Sequence, residues 1–349
     1  MKTLFDQTRI GNIRLKNRLI RSATGETLAK EGHLSAELLE VYEELARGGV
    51  GTIITSFAYV VESEQPFPGM LGIYNDSFIE EYKRLTDMVH RYETNIILQM
   101  VHCGSYRMKE AGGQEVWGPS AVENLQTHIQ PGEMTVENIL ALQKAFATAA
   151  ARAKQAGFDG VQIHAAHGFL LNQFLSPYYN RRTDEYGGTI ENRSRMILET
   201  YSAVREAVGD RYPVLIKLNN SDGMEQGMTI EDSKYVCRRL AEARIDAIEI
   251  SGAWHQFTAR QDSYFKETAA EIAVENNIPV IVVGGNRDYQ AMTEILNQTA
   301  IKYFSFSRPF IAEPGLVNRW QRGDVSRSKC ISCNSCANLN GGLTCILNR

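Results

Sequence analysis

Two histidines three positions apart, in His164-Ala165-Ala166-His167, are the residues most suited to chemistry in this chain. Such a pair can donate two hydrogen bonds to one substrate oxygen, or ligate a metal. A barrel metallohydrolase would place His-x-His on its first strand, and that motif is missing. Gln99, with His102 just beyond it, adds an amide. Lys217 ends the run Val214-Leu215-Ile216-Lys217-Leu218-Asn219. A lysine there can form a Schiff base, hold an anion or stand solvated. It can also sit beside an electron-accepting heterocycle and stabilise the negative charge that reduction brings. A Schiff-base aldolase would use Lys217 alone and leave the histidines and Gln99 idle. Gly284-Gly285-Asn286 and Ser307-Arg308 offer backbone N–H groups, a hydroxyl and a guanidinium, which together suit a phosphate. The same glycines would also serve simple tight turns. Taken together, the set fits a polar heterocycle with a phosphate tail.

Four cysteines, Cys330, Cys333, Cys336 and Cys345, crowd into the last twenty residues, while Cys103 and Cys237 stand alone. Clustered thiols in a reducing compartment suit iron–sulfur or zinc ligation, with redox-inert thiols as the plain alternative.

These groups need a scaffold that brings distant segments to one rim. Short apolar runs recur at Arg18–Ala23, Gly51–Thr55, Ile96–Met100, Gly160–His164, Val214–Leu218, Ala247–Ser251, Val280–Val283 and Ile301–Ser305, with amphipathic helical stretches between them. Strands alternating with helices predict a parallel sheet, and eight such units predict closure into a (β/α)8 TIM barrel. Two units read alike: Asp159-Gly160-Val161-Gln162-Ile163 parallels Asp246-Ala247-Ile248-Glu249-Ile250. A doubly wound fold would carry G-x-G-x-x-G after its first strand, and no such motif occurs. In a barrel, polar residues at strand C-terminal ends are the functional candidates. Read in order, those ends are Ser22 and Thr24, Ser56, Gln99 and His102, His164 and His167, Lys217, then Ser251 with Trp254 and His255. Gly284, Gly285, Ser307 and Arg308 complete the rim. The longest aperiodic stretch, Cys103–Pro131, is expected to lie over that face. The predicted division is a barrel over 1–323 and a cysteine-rich tail over 324–349.

The bulk composition is that of a globular chain: 349 residues, 43% hydrophobic, 22% charged, net charge −4. That balance points to neither nucleic acid nor an anionic membrane as partner. No apolar run reaches membrane-spanning length, and the start, Met1-Lys2-Thr3-Leu4-Phe5, is unlike a signal peptide, so a cytoplasmic protein is expected. A small-molecule substrate is the expected partner, and a homo-oligomer is compatible with the chain.

Longer motifs add a family resemblance. Leu15-Lys16-Asn17-Arg18 leading to Arg21-Ser22-Ala23-Thr24-Gly25-Glu26, then His164-Ala165-Ala166-His167-Gly168, Asn172-Gln173-Phe174-Leu175-Ser176-Pro177 and Asn180-Arg181-Arg182-Thr183-Asp184-Glu185-Tyr186-Gly187-Gly188 resemble the Old Yellow Enzyme family over about residues 3–320. The resemblance implies an FMN-dependent, NAD(P)H-driven reductase of electron-poor alkenes such as α,β-unsaturated carbonyl or enoyl compounds. It implies that Ser22, Ala23 and Thr24 meet the flavin, and that Gln99 and Lys217 meet its pyrimidine edge, Lys217 replacing the usual arginine. Gly284, Gly285, Ser307 and Arg308 would hold the phosphate. His164 and His167 would hold the substrate oxygen while hydride passes through flavin N5.

The chain departs from the family pattern where a tyrosine usually follows His-Gly and protonates substrate. Phe169 stands there and has no proton to give. Ser251-Gly252-Ala253-Trp254-His255 resembles the Trp-His loop of the bacterial 2,4-dienoyl-CoA reductase branch, which implies His255 as a substitute acid. The tail resembles that branch's [4Fe–4S] segment, with shorter later gaps, so Cys330, Cys333, Cys336 and Cys345 are candidate cluster or zinc ligands. Larger relatives continue into a second domain. This sequence ends at Arg349, so none is expected. Two alternatives remain open here: a flavin dehydrogenase like the amine-dehydrogenase relatives, and a flavin-binding redox sensor.

Overall fold

The computed structural model describes residues 1–64, 67–107, 116–253, 262–337 and 343–348. Eight strands form the centre: β1 Leu19–Arg21, β2 Thr52–Tyr59, β3 Asn95–Val101, β4 Gly160–Ala165, β5 Val214–Asn219, β6 Ala247–Ser251, β7 Val280–Val283 and β8 Tyr303–Phe306. Each pairs in parallel with the next, and β8 returns to β1, closing a (β/α)8 barrel. Every residue of β4 to β8 is buried, which is why these strands read as near-continuous apolar runs rather than alternating ones.

Helices α1 Ala36–Arg47, α2 Phe78–His90 and α3 Val136–Gln155 lie in the first half of the chain. Next come the short α4 Leu170–Leu175 and then α5 Ile190–Val208, α6 Ile230–Glu242, α7 Lys266–Asn276 and α8 Tyr289–Gln298. Thr135 with Asn138, and Thr229 with Asp232, form reciprocal capping boxes that fix where α3 and α6 begin. Two further short helices, α9 Arg308–Ala312 and α10 Leu316–Gln321, follow β8. All six residues of α4 are buried, so it has no amphipathic period to read.

Strand ends differ from expectation in ways that matter for the rim. Thr24 Oγ1 donates to Ser22 O at 2.9 Å, a local turn that ends β1 at Arg21 and leaves Ser22 and Ala23 beyond it. β2 runs past Thr55 to Tyr59, with a register shift between Ile54 and Phe57. A hairpin that the sequence did not announce, Thr8–Ile10 against Ile13–Leu15, supplies Ile10, Ile13 and Leu15 to a cluster with Ile20, Ile54, Ile97, Leu215, Ala247 and Ile281. It closes the barrel floor and leaves the opposite rim for chemistry.

The two similar sequence units have a common cause. Asp159 Oδ2 accepts the Ile96 N–H at 2.7 Å, and Asp246 Oδ2 accepts the Val214 N–H at 2.9 Å. Each aspartate therefore pins the start of the neighbouring strand. Asp246 also takes Arg205 Nη2 at 2.6 Å. Asp246→Ala strands the Val214 N–H and the Arg205 guanidinium, and should cost about 1–3 kcal/mol in urea unfolding. An unchanged midpoint would show that the pin carries no stability.

No helix among the described residues is long and apolar enough to cross a membrane. Beyond α10, the chain folds back against the β7 and β8 loops. Ser328 N–H donates to Arg287 O at 2.9 Å, and Arg287 Nη1 donates to Ser332 Oγ at 2.7 Å.

Candidate active site

Strand register brings the separated polar residues together. Lys217 on β5 is level with His164 on β4 and with Glu249 on β6, and Gln99 on β3 is level with Gln162 on β4. Gln99 Nε2 donates to Gln162 Oε1 at 2.6 Å, and Gln162 Nε2 donates to Glu249 Oε2 at 2.8 Å. Glu249 Oε2 also faces Lys217 Nζ at 3.3 Å. Its other oxygen accepts from Ser22 Oγ at 2.7 Å and Ser305 Oγ at 2.6 Å. Lys217 Nζ donates to Ser22 Oγ at 2.9 Å. Burial pulls the Lys217 ammonium below its ordinary range, and Glu249 acts against that pull. Ser22, Gln99 and Lys217, named from sequence, thus share one buried network.

Its hub, Glu249, and the link Gln162 were missed as site residues. A signal was present: each is a polar residue between two β-branched apolar ones, at equivalent places in the two similar units. Gln99 Oε1 is buried and has no hydrogen-bond partner among the described residues. An acceptor left this way costs about 1–3 kcal/mol unless something donates to it. Ala23 packs against the apolar cluster of the barrel floor, which includes Ile20 and Ile54.

The histidine pair sits beside this network. His164 and His167 lie edge to face, ring centroids 5.0 Å apart. Burial holds both well below the ordinary imidazole range, and Lys217 adds to the effect in each. His164 Nδ1 accepts the Ala166 N–H at 3.3 Å, so its proton sits on Nε2. His167 Nε2 meets Ser251 Oγ at 2.7 Å.

His167 has φ +64°, left-handed and costly for a side chain with a Cβ, and Gly168 follows at +78°. The turn is held by side chains further along the chain. Asn219 Oδ1 accepts the His167 N–H at 3.1 Å, and Asn172 Oδ1 accepts the Gly168 N–H at 2.7 Å. Asp222 takes amide protons from Asn172 and Asn219 at 3.0 and 3.2 Å. Phe169 is buried against His164, with centroids 4.7 Å apart, and touches Phe57 and Tyr106 on its other sides.

Across the barrel, Thr24 Oγ1 and Ser307 Oγ meet at 2.9 Å, joining the ends of β1 and β8. Gly284 and Gly285 both have positive φ, +101° and +76°. A Cβ at Gly284 would meet Tyr264 Cδ2 at 2.9 Å, so only glycine fits there. Arg308 starts α9, and its Nη1 donates to Asn334 Oδ1 in the tail. With Cys330, Cys333, Cys336 and Cys345 it lines one cavity. The sequence reading put Arg308 in the phosphate group and the cysteines in the tail; the fold makes them neighbours. Ser332 and Asn334, at φ +57° and +62°, turn the chain between the cysteines. Among the described residues, no three of His, Cys, Asp and Glu stand together as a formed metal site. Trp254 and His255 lie outside the described residues.

A model of the family described as NADH:flavin oxidoreductase / NADH oxidase matches residues 3–326. The chain belongs to that family. A metal reductase of Desulforamulus reducens is 33% identical over 341 residues, covering 96% of this chain and 51% of that protein. An NADPH dehydrogenase of Bacillus subtilis is 33% identical over 317 residues, 90% of this chain and 92% of the relative. The solved structure of a 2-naphthoyl-CoA reductase with 2-naphthoyl-CoA superposes with TM-score 0.93 at 27% identity, over 99% of this chain and 57% of that one. This chain therefore spans about half the length of the metal reductase and of the naphthoyl-CoA enzyme.

Proposed function

We propose that this chain is an FMN-dependent, NAD(P)H-driven reductase of alkenes conjugated to a carbonyl or thioester. The observation that carries the reading is the neutral, buried histidine pair standing beside a polar network that ends in Gln99 Oε1, an acceptor without a partner among the described residues. That acceptor, the Lys217 cation and the glycine turn at Gly284 fit a heterocycle that presents N–H, gains negative charge and carries a phosphate. Ser22, Ala23, Thr24, Gln99 and Lys217 would hold the ring of FMN, and Gly284, Gly285, Ser307 and Arg308 its phosphate. Bound there, FMN supplies the hydride that NAD(P)H delivers.

His164 offers Nε2–H, and His167 offers a second donor once a substrate oxygen displaces Ser251 Oγ. Both stay uncharged at neutral pH, so they bind a carbonyl without an ion's desolvation cost and strengthen as that oxygen gains charge. The naphthoyl-CoA neighbour supports including thioesters. The decisive experiment reads the visible flavin spectrum of purified protein, then anaerobic NADH and NADPH oxidation with a panel of enones and enoyl thioesters. Colourless protein that takes up no added FMN would end the reading.

The four tail cysteines have the donor chemistry of an iron–sulfur or zinc site, and one cavity collects them. Cys330, Cys333, Cys336 and Cys345 would be the ligands of a [4Fe–4S] cluster or zinc, closing around it. Anaerobically purified protein should carry close to one zinc or one four-iron cluster per chain by metal and sulfide analysis. Cys333→Ser with Cys336→Ser should abolish it. Metal-free wild type after reconstitution leaves four ordinary thiols.

A further inference from the structure

This inference rests on the flavin reading above and adds a residue to it. We propose that Glu249 is a positioning residue: it holds Lys217 in a balanced ion pair and so lowers the reduction potential of a flavin bound against Lys217. Glu249 is completely buried and Lys217 1% exposed, level with each other on adjoining strands, with Nζ and Oε2 3.3 Å apart. Four donors converge on the two carboxylate oxygens, from Ser22, Ser305, Gln162 and Lys217. The carboxylate is thus the one acceptor that three strands and the turn after β1 share, and it fixes where the ammonium points.

The charge count gives this geometry its consequence. Around Lys217 the other buried cation is Arg21, which pairs with Glu26 at 2.9 Å. The facing histidines are neutral. These two buried ion pairs balance each other, so Lys217 stands as a directed donor whose charge is offset locally. A lone buried cation would favour the reduced, more negative flavin strongly, since charges interact far more in a dry site than in water. A counter-ion behind that cation returns part of the gain. In exchange, Glu249 opposes the pull by which burial lowers the Lys217 ammonium.

A purely structural role would predict no effect of charge alone, and Glu249→Gln isolates charge. The amide keeps the volume and one acceptor. Spectroscopic redox titration of the FMN-loaded protein at pH 7, against a dye of known potential, is the readout. Glu249→Gln should bind reduced over oxidised FMN about tenfold more selectively than wild type, a midpoint rise of ~30 mV for two electrons. Lys217→Met should lower the midpoint. Replacing a buried ion pair together is often tolerated where breaking it is not. The double variant Lys217→Met/Glu249→Gln therefore covers the case in which Glu249→Gln fails to fold, and its midpoint should lie above that of Lys217→Met. A midpoint unmoved or lowered by losing Glu249 in both backgrounds overturns the proposal and leaves the flavin reading standing. Protein that binds no FMN overturns both.

Discussion

His164→Ala or His167→Ala should slow alkene reduction by about 100-fold or more while leaving reduction of the bound flavin by NADH nearly intact, a loss of ~2.7 kcal/mol in the transition state. The split follows from where the rings stand. His164 is fixed by its own backbone turn through the Ala166 N–H, and His167 meets Ser251 Oγ. Removing either ring deletes a donor to substrate and leaves the polar network assembled. Stopped-flow measurement of the two half-reactions separates the cases: an equal fall in both would assign the pair a structural role.

The same geometry fixes a pH profile. Burial depresses both imidazoles below their usual value near 6.5, so they remain neutral donors as pH falls through that value. The rate with pre-reduced enzyme should therefore show no titration of His164 or His167 between pH 6 and 8. Because the folded protein resists protonating them and the unfolded chain does not, their linkage works against stability as pH falls below the unfolded value.

The second large effect concerns the proton. Phe169 is buried at the position where the family resemblance implies a proton donor, so in the alkene reduction we propose the substrate carbon would take its proton from elsewhere. His255, placed by its Trp-His motif alone, is the residue we assign, with ordered water as the competitor. His255→Ala should slow the oxidative half-reaction by roughly 10²–10⁴-fold, the usual cost of losing a positioned acid. Phe169→Tyr in that background should restore part of the rate, since the new hydroxyl would extend from a ring already packed on His164 at 4.7 Å between centroids. In wild type the same substitution also crowds Phe57 and Tyr106, so the informative comparison is within the His255→Ala background. A wild-type rate for His255→Ala assigns the proton to solvent and removes His255 from the mechanism.

The sequence by itself determined the barrel. Eight buried parallel strands write themselves as apolar runs, and capped amphipathic helices mark the intervals between them, so local pattern and global fold agree. It also determined most of the rim, because closure forces polar strand ends to one face. His164, His167, Gln99 and Lys217 could be named without coordinates for that reason. Tertiary structure alone decided which of those residues act together. Glu249 and Gln162 looked like parts of a repeated unit until register placed Lys217 opposite Glu249 and Gln99 opposite Gln162. Arg308 and the cysteines were read as separate groups, and only the fold back of the tail sets them round one cavity. Periodicity reports which face of an element is buried. Partners hundreds of residues apart, such as Ser22 and Glu249, depend on how the barrel closes, and no local pattern carries that information.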